Sequence, residues 1–332
     1  MTVARVEPVT TVGTARDRAN ARQALAALAP LERGGATIEI AGTTLKLTNL
    51  DKVLYPAAGF RKLDVARYYA AVAPALLPHL RGRPLTLKRY PNGVDGEFFY
   101  QKRCPEHRPD WVRTTEPIGD QQVEYCLPDD VRTLVWAANL ADLELHVLLA
   151  TARAVHRPTV IAFDLDPGAG AGIVECCEVA LLVRELFEGL GLQSFAKTSG
   201  SKGIQVYVPL NHRGATYERT KPLAKAVAEL LAARHPKLVV SRQLKELRRG
   251  KVLVDWSQND PSKTTVCAYS LRARDQPTVS TPVRWSEVEA ALDRGDQDAL
   301  RFDHAAVLAR VHEHGDLFEP VLTLRQRVPD LG

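Results

Sequence analysis

The stretch Thr159–Gly168, Thr-Val-Ile-Ala-Phe-Asp-Leu-Asp-Pro-Gly, constrains the chain more than any other. Its apolar, partly β-branched run from Val160 to Leu165, stopped by Pro167-Gly168, reads as a short buried strand. Alternation along a strand puts Asp164 and Asp166 on one face, with Phe163 and Leu165 on the other. Two carboxylates about 7 Å apart on a rigid backbone can converge on the same divalent ions, as a two-metal site requires. The motif alone leaves a second reading open. Asp166 equally begins an Asp-Pro-Gly turn, with Asp164 solvated at a sheet end.

A chain of 332 residues with 45% hydrophobic and 25% charged residues is long enough to bury one large core or two, as ordinary globular proteins do. The 44 Lys and Arg against 39 Asp and Glu leave a net charge of only +5, so the placement of the bases matters more than their sum. Five cysteines, Cys104, Cys126, Cys176, Cys177 and Cys267, are too few and too scattered for a disulfide framework. Adjacent Cys176 and Cys177 fall in an expected helix and read as reduced thiols of a cytosolic protein. Cys104-Pro-Glu-His107 has metal-like spacing but no second pair, which argues against a structural zinc. An apolar signal region and any long apolar run are missing, which disfavours export and membrane insertion.

Residues 1–34, rich in Ala and Arg, read as an N-terminal extension with a short helix through Arg16–Leu28. Ala36–Ile40 and Thr44–Leu47 read as a hairpin, and Asp64 as the N-cap of a helix with Val65, Tyr68, Tyr69 and Val72 facing inward. Leu85–Tyr90 and Glu97–Lys102 read as strands, and a helix capped by Asp129 or Asp130 is expected to run to about Ala150. Helices are expected over Ile173–Gly189 and Glu218–His235, strands over Ile204–Pro209 and Val252–Trp256, and a Ser286–Glu289 capping box before the last helices. Strands and helices are mixed rather than strictly alternating, which predicts an α+β (mixed α/β) fold. The domain expected from this pattern covers residues 35–325, leaving a tail at 326–332.

Further chemistry lies around that strand. Thr198-Ser-Gly-Ser-Lys-Gly203 precedes Ile204–Val208, and its glycines let backbone N–H groups approach phosphate oxygens while Ser hydroxyls and an ammonium add donors. It is no P-loop, because a strand follows rather than a helix, and a polar hairpin turn is the plainer alternative. Val252-Leu-Val-Asp255 ends a second strand in a third carboxylate, and Arg242, Lys245, Arg248, Arg249 and Lys251 lead into it with Glu246 as the lone acid. Such a run is either a solvated face or a phosphate-binding arm. His146, in Leu143-Glu-Leu-His146, reads as a core histidine on an apolar helix. Phe98-Phe99-Tyr100 reads as core unless it sits beside Lys88, Arg89 and Lys102, where base stacking competes.

Six blocks in order are Leu47-Thr-Asn-Leu-Asp-Lys-Val-Leu-Tyr-Pro56, Lys88-Arg-Tyr-Pro-Asn-Gly93, Phe163-Asp-Leu-Asp-Pro167, Thr198-Ser-Gly-Ser-Lys-Gly203, Val254-Asp-Trp-Ser-Gln-Asn259 and Tyr269-Ser-Leu-Arg272. Together they resemble the archaeo-eukaryotic primase-like polymerases of bacterial end joining, namely the polymerase domain of ligase D and its stand-alone paralogues. The resemblance covers residues 37–325 and implies two mixed or antiparallel sheets flanked by helices. It implies metal-binding carboxylates at Asp164, Asp166 and Asp255, and triphosphate ligands at Ser199, Lys202, Arg248 and Arg272. It also implies Lys88 and Gln258 near the sugar and base, His146 touching the incoming nucleotide, Lys52 and Lys62 on a 5′-phosphate, and Phe99 with Tyr100 stacking on the template. Two divalent ions (manganese before magnesium), nucleoside triphosphates with ribonucleotide preference, and gapped or broken DNA are the implied cofactors and substrates. A ligase in trans and Ku are the implied partners, in the bacterial cytosol and nucleoid. Relatives often carry His where this chain has Gln205, which is given no role.

Two other functions compete. Asp-x-Asp also holds the metal of nucleotide-sugars in glycosyltransferases, and a basic track alone would serve a non-catalytic DNA-end-binding scaffold.

Overall fold

The computed structural model describes residues 6–328, so positions 1–5 of the N-terminal extension and 329–332 of the tail lie outside the described residues. The chain interleaves two compact units: Met1–Val147 with Tyr269–Val279 and Phe302–Asp316, and Leu148–Ala268 with Ser280–Arg301 and Leu317–Gly332.

The first unit is built on the helix Lys62–Leu80, almost wholly buried from Leu63 to Leu77. Asp64 is not its N-cap but caps it from the third helical position. The helix begins two residues earlier, and the Asp64 carboxylate accepts from the Arg61 N–H at 2.9 Å. The helix Ala15–Leu28 packs against it, started by a Thr14–Asp17 capping box. The strand Leu85–Arg89 pairs antiparallel with Phe99–Gln101 on one side and Asp142–Leu148 on the other.

The helix expected to reach Ala150 ends at Asn139. Ala141 adopts a left-handed φ of 57°, which turns the chain from helix into the strand Asp142–Leu148. His146 therefore lies on a buried strand, not a helix. In the second unit the last capping box also shifts, with Glu287 accepting from the Arg284 N–H at 2.8 Å ahead of the helix Trp285–Arg294.

Cys104 and Cys126 form a disulfide in the first unit, a correction to the expectation of no disulfide, while Cys176, Cys177 and Cys267 are free and buried. The backbone brings the pair together by ladder-like bonds, Cys104 N–H to Glu124 O and Leu85 N–H to Cys126 O. A sequence separation of 22 hid this closure. By the chain-entropy argument the bridge contributes roughly 3 kcal/mol. Reducing it, or replacing both cysteines by serine, should lower the urea midpoint accordingly, and equal midpoints for the oxidised and reduced protein would contradict that.

The second unit holds a six-stranded sheet in the order Val239–Val240, Val252–Asp255, Val160–Pro167, Ile204–Pro209, Phe195–Thr198 and Pro282–Val283. The first pair is parallel and every other pair antiparallel. The stretch singled out from sequence is thus an interior strand, its inner face packed by Phe163 on Phe187 of the helix Ile173–Gly189. Asn259 clamps this strand from its far edge: it accepts from the Ala162 N–H at 3.0 Å and donates to the Ala162 carbonyl at 2.7 Å. The α+β architecture matches the expectation. Among the described residues no helix is long and apolar enough to cross a membrane.

Candidate active site

Register decides where the acids go. Asp164 lies directly opposite Asp255 on one neighbouring strand and Gln205 on the other, and Asp166 opposite Leu253. Side chains at i and i+2 share a face, as do directly opposed cross-strand pairs, so Asp164, Asp166 and Asp255 share one face of two adjacent strands. Burial first, then the negative charges of Asp166 and Asp255, push the Asp164 carboxyl up to about 6, against the lowering effects of Gln205 and Lys197.

Each acid is held by its own partners. Asp166 accepts from Arg248 at 2.7 Å, and Asp255 accepts from the Ser257 N–H at 2.9 Å and from the Gln258 amide at 3.1 Å. No set of three or more His, Cys, Asp or Glu side chains closes around one point among the described residues. The donor set nevertheless fits a hard divalent cation: three carboxylates on one sheet face, with one destabilised as an anion by the other two.

Two surrounding segments are fixed by close backbone approach. The loop Ser199–Gly203 joins the strands Phe195–Thr198 and Ile204–Pro209, and a Cβ on Gly203 would stand 2.0 Å from the Leu165 carbonyl oxygen. Ser199 accepts from the N–H groups of Ser201 and Gly203 at 3.2 and 3.1 Å, so its hydroxyl shapes the loop, while Lys202 is exposed. The hairpin-turn reading and the phosphate-loop reading are therefore compatible. The basic arm is pinned in the same way: a Cβ on Gly168 would meet the Arg248 carbonyl oxygen at 1.8 Å, and the Gly250 N–H bonds the Ala169 carbonyl at 2.8 Å. That contact brings Arg248 to Asp166.

A buried chain of polar groups that sequence reasoning missed lies beside Asp164. The Lys197 ammonium, on a residue only 1% exposed, donates at 2.6 Å to both the Gln205 side-chain carbonyl and the Ser280 hydroxyl. Gln205 in turn hydrogen-bonds Asp164. A lysine at an inward strand position was the available signal, because a fully buried ammonium needs paired acceptors.

In the first unit Glu144 is the organising residue, and sequence reasoning missed it as well. Its carboxylate lies 3.2 Å from the Lys88 ammonium, 2.9 Å from His146 and 3.3 Å from Arg272. Burial would raise the Glu144 carboxyl, but His146, Arg272 and Lys88 together hold it well below the usual carboxylate range. Three predicted nucleotide ligands are thus gathered on one acid.

The aromatic run is exposed, at 51%, 44% and 55% for Phe98, Phe99 and Tyr100, so it is not core. Phe99 and Tyr100 do not form one platform. Tyr100 sits with Phe98, His146 and Lys88, whereas Phe99 lies under the Arg89 guanidinium on the other face.

Lys52 and Lys62 are brought together by the short hairpin Val53–Tyr55 with Phe60–Arg61, where the Lys62 N–H bonds the Lys52 carbonyl at 2.8 Å. The Lys62 ammonium is anchored on the Thr48 and Asn139 carbonyls, each at 3.0 Å, and burial, Lys52 and Arg89 lower its proton affinity. The helix start offers no free clamp at these positions, since the N–H groups of Arg61, Lys62 and Leu63 are bonded to Asp64, Lys52 and Leu50.

A mixed sheet carrying an acidic face, a Ser-Gly loop and a pinned basic arm has the layout of a primase-like polymerase core. The family model for the LigD primase-polymerase domain matches residues 61–318, and the chain belongs to that family. It is 44% identical over 289 residues to the multifunctional non-homologous end joining protein LigD of Mycobacterium bovis, covering 82% of this chain and 36% of that protein. It is 35% identical over 248 residues to the bifunctional LigD of Bacillus subtilis, covering 75% of this chain and 40% of the relative. The polymerase domain of Mycobacterium tuberculosis ligase D, solved in complex with DNA, matches with a TM-score of 0.77 at 39% identity, covering 85% of this chain and 99% of that one. The chain thus spans little more than a third of the curated relatives' length.

Proposed function

We propose that the protein is a DNA-dependent polymerase that adds nucleotides, with ribonucleotides preferred, at gaps and ends during non-homologous end joining. The observation that carries this reading is the shared face of Asp164, Asp166 and Asp255, flanked by the Ser199–Gly203 loop and the Arg248 arm. Divalent ions, manganese or magnesium, held by the three carboxylates, would supply the charge that stabilises phosphoryl transfer from a nucleoside triphosphate. Lys202 and Arg248 offer cationic donors to the triphosphate, and the Gly203 backbone lets that loop lie flat on the central strand. Arg248 would exchange its bond to Asp166 for phosphate oxygens when substrate enters. In the other unit, Lys88, His146 and Arg272, set by Glu144, are assigned to the nucleotide, and exposed Tyr100 with Phe98 to base stacking. The nick left after filling is the substrate of a DNA ligase. Ku-bound ends in the bacterial nucleoid are the setting we assign to the reaction.

Lys52 and Lys62 are assigned to a 5′-phosphate on the downstream strand. A gap whose downstream strand carries that phosphate should bind more tightly than one ending in a hydroxyl, and Lys52→Ala/Lys62→Ala should erase the difference. Loss of both charge-assisted contacts should cost about 5- to 150-fold in affinity. Equal binding of the two gaps by the unmutated protein at moderate salt would remove this assignment.

A further inference from the structure

The second unit carries a basic pocket that the polymerisation site does not use. It encloses about 800 Å³, and its lining includes Arg157, His212, Arg213 and Arg325 with the hydroxyls of Thr151 and Thr323. No carboxylate lines it, and Arg157, Arg213 and Arg325 are exposed and make no ion pair among the described residues. Thr159, one of its lining residues, immediately precedes the central strand and lies five residues before Asp164, about 17 Å away along extended backbone.

The walls are fixed before any ligand arrives. Asn211 adopts a left-handed φ of 48°, and its side-chain amide donates to the Val321 and Leu324 carbonyls at 3.0 and 2.8 Å, tying the two basic segments together. Gln326 adds a bond to the Pro209 carbonyl at 2.9 Å. His212 accepts from the Gly214 N–H through Nδ1 at 3.0 Å, which leaves the proton of the neutral ring on Nε2 as a donor.

Guanidinium forks, an imidazole N–H and hydroxyls, with no opposing acid, suit phosphate oxygens. The lining has no Phe, Tyr or Trp, and its charge is all cationic, so recognition centres on phosphate rather than on the bases. We infer that this pocket is a second, sequence-independent contact for the phosphodiester backbone of nucleic acid, separate from the polymerisation centre. It rests on the DNA-dependent reading only for its biological setting, because the binding measurement below needs no catalysis.

The test is the triple variant Arg157→Gln/Arg213→Gln/Arg325→Gln, all exposed positions, compared with the parent by fluorescence anisotropy over a salt series. The probes are a blunt 24-base-pair duplex, the corresponding single strand and poly-L-glutamate. Loss of three phosphate contacts should flatten the slope of log K against log salt by about 2 on single strands and about 3 on duplex. Affinity near physiological salt should fall on the order of tenfold or more. Extension at saturating DNA should stay at the parental rate, with only the DNA concentration for half-maximal rate raised. A loss confined to duplex assigns the pocket to DNA flanking the gap, and a loss confined to the single strand assigns it to an overhang. Unchanged slopes on both probes overturn the inference. So does poly-L-glutamate binding the parent as tightly as DNA and losing affinity in the variant, since the pocket then reads carboxylates.

Discussion

Replacing Asp164 or Asp166 by alanine should reduce primer extension by about 10³-fold or more while leaving DNA affinity within a factor of about two. The two quantities separate because ions held by these carboxylates would act on charge that develops during transfer, whereas the DNA affinity is assigned to bases such as Lys52 and Lys62. The same acid predicts a pH profile. With its carboxyl pushed up to about 6, Asp164 holds a proton that competes with the cation, so extension at limiting manganese should fall as pH drops through that value. Raising the metal concentration should move the midpoint to lower pH. A double alanine variant that extends primers at a comparable rate would remove the metal assignment.

The second large effect concerns stability. Glu144→Leu leaves the half-buried ammonium of Lys88 and the guanidinium of Arg272 without their shared carboxylate. Breaking a buried ion pair from one side costs about 3–5 kcal/mol, so the variant should unfold at a markedly lower urea midpoint with an unchanged slope. Glu144→Gln, which keeps a hydrogen-bond acceptor, should recover part of the loss. The Glu144 carboxyl titrates below its ordinary 4.5 in the folded protein. Its contribution is therefore present above the unfolded value and is lost as pH falls through the folded one. A Glu144→Leu midpoint equal to the parent's would show that the cluster is not structural.

What could be read in advance followed short-range rules. The helix Ile173–Gly189 and the strand Ile204–Pro209 match at both ends, and the strand expected from Val160 to Leu165 runs two residues further to Pro167, because turn residues and apolar periodicity bound them. The shared face of Asp164 and Asp166 follows from strand alternation alone. That Asp255 lies directly opposite Asp164 depends on strand order, which no local signal carries. Glu144 was hidden for a related reason: Leu143-Glu-Leu-His146 fits a helix or a strand, and only the left-handed turn at Ala141 decides between them. Lys197 was not singled out at all, because its partners Gln205 and Ser280 come from other parts of the chain. Exposure of Phe98, Phe99 and Tyr100 ran against their hydrophobicity, as an apolar surface retained for binding does.

The most direct test of the central claim is primer extension on a short DNA gap, with manganese and each nucleoside triphosphate supplied in turn. The intact protein should add the nucleotide complementary to the template base, prefer the ribonucleotide to its deoxy counterpart, and stop when the divalent ion is chelated. Folded, DNA-bound protein that adds no nucleotide with any triphosphate and either metal would contradict that claim.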